Sequence, residues 1–316
     1  MFSAAETLPG RLRARGINRR EFLQYCSMLT ATLALPLRYV NSIAAVLDQS
    51  TKKPAVIWLE FQGCTGCTES FTRADHPGVG QVVMETISLD YHETLMAAAG
   101  AKAEAARIAA IEENRGKYIL IVEGSVPTGE AGIYCTIAGR PAVEVLKTAA
   151  EGAAFLVAVG TCASYGGLAA ARPNPTAAKG VDQIVQGKTI INIPGCPPIG
   201  DVIMATVVHY LLFDKAPALD AEGRPLFAYG RTIHEMCRRT TQFSEGDMAT
   251  ELGDELQKTG GCLYPLGCKG LVTHNACPVM RWNMGTSWCV GSGHPCVGCA
   301  TRDFWDKLTP IYTTTV

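Results

Sequence analysis

Four cysteines follow short apolar runs in the first two thirds of the chain. Cys64 and Cys67 form a Cys-x-x-Cys motif after one run, while Cys162 and Cys196 follow glycines that end two later runs. The carboxyl ends of parallel strands meet at the same edge of a sheet, so these thiols are expected to converge. Four thiolates around one point are typical ligands of zinc or of an iron–sulfur cluster. The pattern therefore predicts a metal site.

Two other interpretations of these cysteines stay open at this point. A single cysteine is often simply a small buried hydrophobe. Cys-x-x-Cys near a strand–helix–strand unit also describes thioredoxin-like redox motifs, so Cys64 and Cys67 are candidates for a disulfide. A disulfide there leaves Cys162 and Cys196 unexplained.

The last third of the chain is dense in further potential ligands, with six of the 13 cysteines between Cys262 and Cys299. The candidates in this region are His234, Cys237, Cys262, Cys268, Cys277, Cys289, Cys296 and Cys299. Together with the first four they make three sets of four ligands. Three sets favour an electron relay, because several redox-active centres in one chain can pass electrons from one to the next. Structural zinc and disulfides are the alternatives.

Alternating apolar and helix-like segments predict the elements that position the first site. The runs rich in Val and Ile are 55–59, 118–122, 155–159 and 189–193, and the alanine-rich segments between them include 95–111 and 141–151. Buried parallel strands with crossover helices give an α/β fold with a doubly wound parallel sheet. From about residue 231 the alternation fades, which predicts an irregular domain that folds around inorganic centres. We expect domains at 51–230 and 231–316.

Length and composition set the outer bounds on function. The 316 residues suggest about two domains, and 47% hydrophobic with 18% charged residues makes wholesale disorder unlikely. The formal net charge is -1, from 28 Lys and Arg against 29 Asp and Glu. This balance gives no sign of a nucleic-acid partner.

The first 50 residues have the pattern of an export signal. Basic residues, among them the Arg19-Arg20 pair, precede a weakly apolar run over 22–37, and small residues follow it. Consecutive arginines indicate the twin-arginine route, which carries folded proteins, and thus a periplasmic location. An amphipathic N-terminal helix is the alternative. No run reaches the ~18 apolar residues of a membrane span, so no transmembrane anchor is expected in this chain.

The cysteine motifs closely resemble those of the small, electron-transferring subunit of nickel-iron hydrogenases. The matching motifs are 63–70 (GCTGCTES), 160–167 (GTCASYGG), 192–198 (NIPGCPP), 233–237 (IHEMC), 266–270 (LGCKG) and 294–299 (HPCVGC). The resemblance implies a flavodoxin-like domain followed by an irregular iron–sulfur domain. It also implies a separate large subunit that holds the nickel-iron centre.

The same resemblance assigns each set of four ligands to a 4Fe-4S cluster. It gives a proximal cluster at Cys64, Cys67, Cys162 and Cys196. It gives a distal cluster at His234, Cys237, Cys262 and Cys268. The medial cluster is left with Cys277, Cys289, Cys296 and Cys299. By this analogy the chain passes electrons from hydrogen oxidation to an external acceptor such as a cytochrome c or a membrane cytochrome, and has no catalytic residue of its own.

Departures from parts of the family refine these expectations. Many members have proline where this chain has Cys289, and hold a three-iron medial cluster, so we expect four irons here, as in nickel-iron-selenium members. Oxygen-tolerant members carry extra cysteines at the positions of Gly66 and Gly167, so we expect an ordinary proximal cubane. Glu69 is a candidate for contact with the large subunit or a proton route, or a solvated or capping carboxylate. Lys269 is a candidate for screening cluster charge or for docking an acidic acceptor. Rival functions are an iron–sulfur subunit of a related quinone-linked oxidoreductase and a structural zinc protein.

Overall fold

The computed structural model describes residues 19–33, 35–41, 43–44, 53–74 and 87–314. Residues 1–18, 34, 42 and 45–50 of the predicted export signal lie outside the described residues. All twelve predicted ligands lie inside them.

A five-stranded parallel sheet forms the centre of the first part of the chain. Its strands are β1 (Ala55–Glu60), β2 (Ser88–His92), β3 (Ile119–Glu123), β4 (Phe155–Val159) and β5 (Ile190–Ile193). They lie in the order β2-β1-β3-β4-β5, with every neighbouring pair parallel. This is the strand order of flavodoxin-like folds, and it confirms the predicted α/β fold class.

One strand was missing from the sequence prediction. β2 lies at the edge of the sheet beside β1, and its first three residues are only partly buried. An edge strand is covered less completely than a central one, so its sequence lacks the continuous apolar run that identified the other four strands. The two-residue strands Val126–Pro127 and Ala178–Lys179, and Thr136–Ile137 and Arg140–Pro141, add small antiparallel pairs.

Helices cover both faces of the sheet. The α-helices are α1 (Arg19–Thr32), α2 (Gly66–Thr72), α3 (Gly100–Glu113), α4 (Ala142–Gly152), α5 (Gly160–Tyr165), α6 (Gly200–Phe213), α7 (Leu226–Tyr229), α8 (Ile233–Met236), α9 (Thr240–Glu245), α10 (Glu255–Thr259), α11 (Cys277–Met280) and α12 (Phe304–Lys307). Short 3-10 turns lie at Leu37–Tyr39, Gly129–Gly132, Gly167–Ala170, Val181–Gln183, Tyr264–Leu266 and Val290–Ser292. The predicted crossover helices correspond to α3 and α4.

Alternate side chains of each strand enter two separate cores. On one face Ile57 and Leu120 pack with side chains of α3 and α4. On the other face Trp58 and Ile121 pack with α2 and α6. That second core continues without a break into the irregular part of the chain, where it includes Leu263. The sheet and the cysteine-rich segment therefore share one hydrophobic core.

Within the described residues, every helix after α6 is short. With little regular backbone pairing, this segment depends on turns and side-chain contacts to hold its shape. Such a region needs another source of stability, and bound metal centres are one that proteins use.

The N-terminal helix α1 lies against the α/β domain. Cys26 and Leu33 are buried together with Ala205 and Val208 of α6. Within the described part of the chain, no helix is both long and apolar enough to cross a membrane.

Candidate metal centre

The first quartet lies at the carboxyl edge of the sheet. Cys64 lies beyond the end of β1, Cys67 is in the first turn of α2, Cys162 is in α5 and Cys196 lies beyond β5. Burial raises the pKa of the Cys67 thiol well above its usual value. The charges of Glu123 and of the other three cysteines raise it further, so each of those cysteines lies near Cys67.

Two glycines keep space open for this quartet. Gly160 and Gly167 both have positive φ, at 87° and 61°. A Cβ atom on Gly160 would collide with the sulfur of Cys67, and one on Gly167 would lie 2.5 Å from the sulfur of Cys162. Any larger residue at either position would displace a thiol.

A buried carboxylate that the sequence analysis missed holds the first turn of α2, which carries Cys67, in place. Glu123 ends β3 and is 1% exposed. Its carboxylate accepts hydrogen bonds from the backbone N–H groups of Cys67 and Thr68, both at 3.0 Å, and from the Nε1 of Trp58 at 3.2 Å. Burial raises the pKa of this carboxyl group. The available signal was an acidic residue at the end of an otherwise apolar strand, at the edge where the cysteines meet.

The second quartet lines one cavity in the irregular segment. His234, Cys237, Cys262 and Cys268 are all in its wall. The backbone N–H of Arg239 donates to the sulfur of Cys237 at 3.4 Å. The His234 ring packs edge-on against Phe243, with the ring centres 4.7 Å apart. The predicted distal ligands are thus together.

The third quartet is buried most deeply. Cys277 and Cys296 are 3% and 5% exposed, and burial raises the pKa of both thiols well above the usual value. Cys289 and Cys299 also raise the pKa of the Cys277 thiol. The backbone N–H of Gly298 donates to the sulfur of Cys296 at 3.4 Å. Cys277 therefore lies near the other three predicted medial ligands.

Contacts between the quartets put the third one between the other two. Burial raises the pKa of the Cys299 thiol, and this thiol accepts a hydrogen bond from the backbone of Cys196, so the two cysteines are in contact. On the other side, the backbone N–H of Cys296 donates to the sulfur of Cys268 at 3.4 Å. The order along the molecule is first, third and second quartet.

The donor set fits iron–sulfur clusters. Within the described residues, no three His, Cys, Asp or Glu side chains are grouped tightly enough to hold a single metal ion. Thiolates around one zinc ion stand about 3.8 Å apart, as Zn–S bonds of about 2.3 Å require. Cysteine thiolates are the usual ligands of iron–sulfur clusters. Backbone N–H groups that point at sulfur are also typical surroundings of such clusters.

Several other residues have local roles. Glu69 is exposed and pairs with Arg73 at 2.6 Å. Lys269 is completely buried and its Nζ donates to the carbonyl of Thr313, so the expectation that it docks an acidic acceptor is wrong. The Nε2 of His294 lies 3.1 Å from the hydroxyl of Tyr312. Cys135 packs against the core on the α3 and α4 face of the sheet.

Two family models match different parts of the chain. The model described as "NADH ubiquinone oxidoreductase, 20 Kd subunit" matches residues 64–210. The model for the C-terminal part of the NiFe/NiFeSe hydrogenase small subunit matches residues 229–312. Between them they cover all three quartets.

Whole-chain comparisons give a single family. The chain is 46% identical to the Hydrogenase-1 small chain of Escherichia coli K12 over 302 residues, which is 96% of this chain and 81% of that protein. It is 47% identical to the Hydrogenase-2 small chain of the same organism over 289 residues, with 91% and 77% covered. A reduced, active nickel-iron-selenium hydrogenase from Desulfomicrobium baculatum has a chain of similar structure, with a TM-score of 0.78 and 37% identity over 83% of this chain and 99% of that one.

The flavodoxin-like sheet and the cysteine-rich second part thus define an iron–sulfur protein of the hydrogenase class. The chain belongs to the family of nickel-iron hydrogenase small subunits. This confirms the resemblance carried by the cysteine motifs.

Proposed function

We propose that the chain relays electrons through three 4Fe-4S clusters between a nickel-iron large subunit and an external acceptor. The proximal ligands are Cys64, Cys67, Cys162 and Cys196, the medial ligands are Cys277, Cys289, Cys296 and Cys299, and the distal ligands are His234, Cys237, Cys262 and Cys268. The observation that carries this proposal is the linear order of the three quartets. Each cluster, when bound, supplies a site that takes up and passes on one electron.

The exposed side of the proximal quartet supports a partner at that end. Cys64 and Cys196 are exposed in this chain, whereas Cys277 and Cys296 of the medial quartet are buried. Cluster potential depends on solvent exposure and on nearby hydrogen bonds, so an exposed cluster site benefits from a covering partner. The large subunit with the nickel-iron centre is the proposed cover, which makes the chain one half of a hydrogenase that is active only with that subunit.

The twin-arginine signal, the periplasmic location and the division into domains at 51–230 and 231–316 belong to the same proposal. The Arg19-Arg20 pair ahead of the weakly apolar run 22–37 supports the export signal. Proteins of this route fold before transport, which suits a chain that must first acquire its clusters.

A related quinone-linked oxidoreductase is the second candidate function. The match of residues 64–210 to the 20 Kd subunit of NADH ubiquinone oxidoreductase favours it for the proximal part of the chain. The match of residues 229–312 is to hydrogenases, and that segment holds the other eight ligands. The combination favours hydrogen as the electron source.

Copurification with the large subunit under anaerobic conditions tests this function. We expect hydrogen to reduce benzyl viologen in the presence of the purified complex. We also expect hydrogen to reduce the clusters, so that the EPR signals of reduced 4Fe-4S clusters appear. Stoichiometric zinc with little iron would instead identify a structural zinc protein. Quinone-dependent activity without hydrogen uptake would identify the second candidate.

A further inference from the structure

A second cavity lies beside the one that the distal ligands line. Its wall includes Arg238, Arg239, Arg281 and Trp288. Arg239 and Val290 belong to the walls of both cavities. The second cavity therefore adjoins the one that the distal ligands line, with Arg239 and Val290 between the two.

The wall of this cavity carries positive charge without a neutralising carboxylate. Three arginines line it, and no Asp or Glu among the described residues does. In the described ranges none of the three forms an ion pair with a carboxylate. The chain as a whole has a net charge of -1, so this cluster of charge is a local feature.

Backbone carbonyls hold two of these arginines in position. Arg239 donates from Nη1 to the carbonyl oxygen of Gly261 at 2.6 Å. Arg281 donates from Nη1 to the carbonyl oxygen of Gly285 at 3.4 Å. A neutral acceptor fixes the guanidinium without cancelling its charge, so both remain able to attract an anion. Arg238 is exposed and extends the charged surface outward.

The charged wall is next to the ligands at the end of the relay. Arg239 follows Cys237 by two positions, and its backbone N–H donates to the Cys237 sulfur. The buried Lys269 contributes no charge to this surface. In the proposed function this is the end from which electrons leave the chain.

We propose that Arg238, Arg239 and Arg281 form the docking surface for an electron-acceptor protein whose contact face is rich in carboxylates. Three charges from two segments of the chain, with Arg238 exposed, suit several carboxylates on a surface. Opposite charges steer such a partner toward the distal ligands and raise the association rate. This inference rests on the proposed function, since it concerns the partner that receives the electrons.

Mitochondrial cytochrome c in two charge forms provides the test. The native protein is basic, and its succinylated form carries carboxylates in place of lysine charges around the same haem. The hydrogen-reduced complex of this chain with its large subunit is expected to reduce the succinylated form faster at low ionic strength. Rising salt is expected to remove that preference, because exposed charges are screened.

The variant that probes the surface is Arg238→Gln combined with Arg281→Gln. Its rate with succinylated cytochrome c is expected to fall about tenfold at low salt, the lower end of electrostatic steering effects. The matched control is Arg115→Gln with Lys117→Gln, which removes two exposed charges at the amino end of β3, the opposite edge of the sheet from the cysteines. Its rate is expected to stay unchanged.

Three outcomes would overturn the docking surface while leaving the proposed function standing. Equal wild-type rates with the two cytochromes, or equal effects of the two double variants, would do so. Inhibition by inorganic phosphate at constant ionic strength, without any preference between the cytochromes, would assign the cavity to a small anion. Failure of the proposed function looks different, because hydrogen would then reduce neither cytochrome nor benzyl viologen. If the double variant loses iron, the docking surface is tested by the wild-type preference for succinylated cytochrome c and by the salt dependence of that preference.

Discussion

The hydroxyl of Thr161 donates a hydrogen bond of 2.5 Å to the backbone carbonyl of Cys299, which lies 138 positions further along the chain. The same hydroxyl accepts a hydrogen bond from the backbone N–H of Gly195 at 2.9 Å. Thr161 precedes the proximal ligand Cys162, and Gly195 precedes the proximal ligand Cys196. A single side chain therefore joins two proximal loops to one medial loop.

Replacing this hydroxyl is expected to loosen the connection between the first two quartets. Thr161→Val keeps the shape of the side chain but leaves a buried N–H and a carbonyl without their partner, each worth about 1–3 kcal/mol. We expect a lower Tm for the purified complex and an altered magnetic interaction between proximal and medial clusters in EPR spectra. Thr161→Ser keeps the hydroxyl and is expected to behave like the wild type. Equal Tm values for the Val and Ser variants would show that the hydrogen bonds of the Thr161 hydroxyl do not stabilise the complex.

Glu123 is expected to be necessary for the loop that carries Cys67. In Glu123→Gln, one carboxylate oxygen becomes an NH2 group that faces backbone N–H donors, so at least one charge-assisted hydrogen bond is lost, at a cost of about 1.5–3 kcal/mol. We expect a lower Tm and a smaller proximal-cluster signal in EPR spectra. Glu112→Gln, at an exposed position of α3, is the control and is expected to be neutral. A proximal signal of full intensity in Glu123→Gln would refute this role.

Gly167→Ala is expected to displace the Cys162 sulfur and to remove the proximal cluster. Gly187→Ala is a matched control, because Gly187 also has positive φ, at 74°, but a Cβ there meets no atom within 4 Å. The loss expected for Gly167→Ala is about four irons per chain, the content of one cubane. Iron quantitation on both variants separates a collision with the ligand from backbone strain alone. Equal iron content in the two variants would mean that a Cβ atom beside the Cys162 sulfur does not prevent cluster binding.

Cys289 is expected to hold the fourth iron of the medial cluster. Removing this thiolate in Cys289→Ala is expected to release that iron and leave a three-iron cluster, which gives a characteristic EPR signal when oxidised. The wild-type protein should lack that signal. Cys135→Ala, which removes a cysteine outside all three quartets, is the control and should leave iron content and spectra unchanged. A three-iron signal in the wild type would contradict the assignment of Cys289.

The sequence allowed prediction of the central strands and of the cysteines at their ends, because both depend on local pattern. Buried parallel strands read as continuous apolar runs, and chain connectivity places their ends at one edge. The half-covered strand β2 was missed because its pattern depends on what packs against it. The role of Glu123 was missed for a similar reason, since an acidic residue at a strand end gives no sign of the N–H groups that a distant loop brings to it.

Charge on individual lysines and arginines was the least predictable feature of the site. Lys269 follows a ligand and was expected to face a partner, but the fold buries it and directs it to the carbonyl of Thr313. The arginines beside the second cavity come from segments more than 40 positions apart, so no local pattern connects Arg238 with Arg281. Their common surface exists only in the folded chain.

Metal analysis of the anaerobically purified complex tests the central claim most directly. Three quartets that each hold a cubane predict about twelve irons and about twelve sulfides in this chain, in addition to the metals of the large subunit, with no stoichiometric zinc. Zinc in place of iron in any quartet, or a total that accounts for fewer than three clusters after reconstitution, would contradict the account.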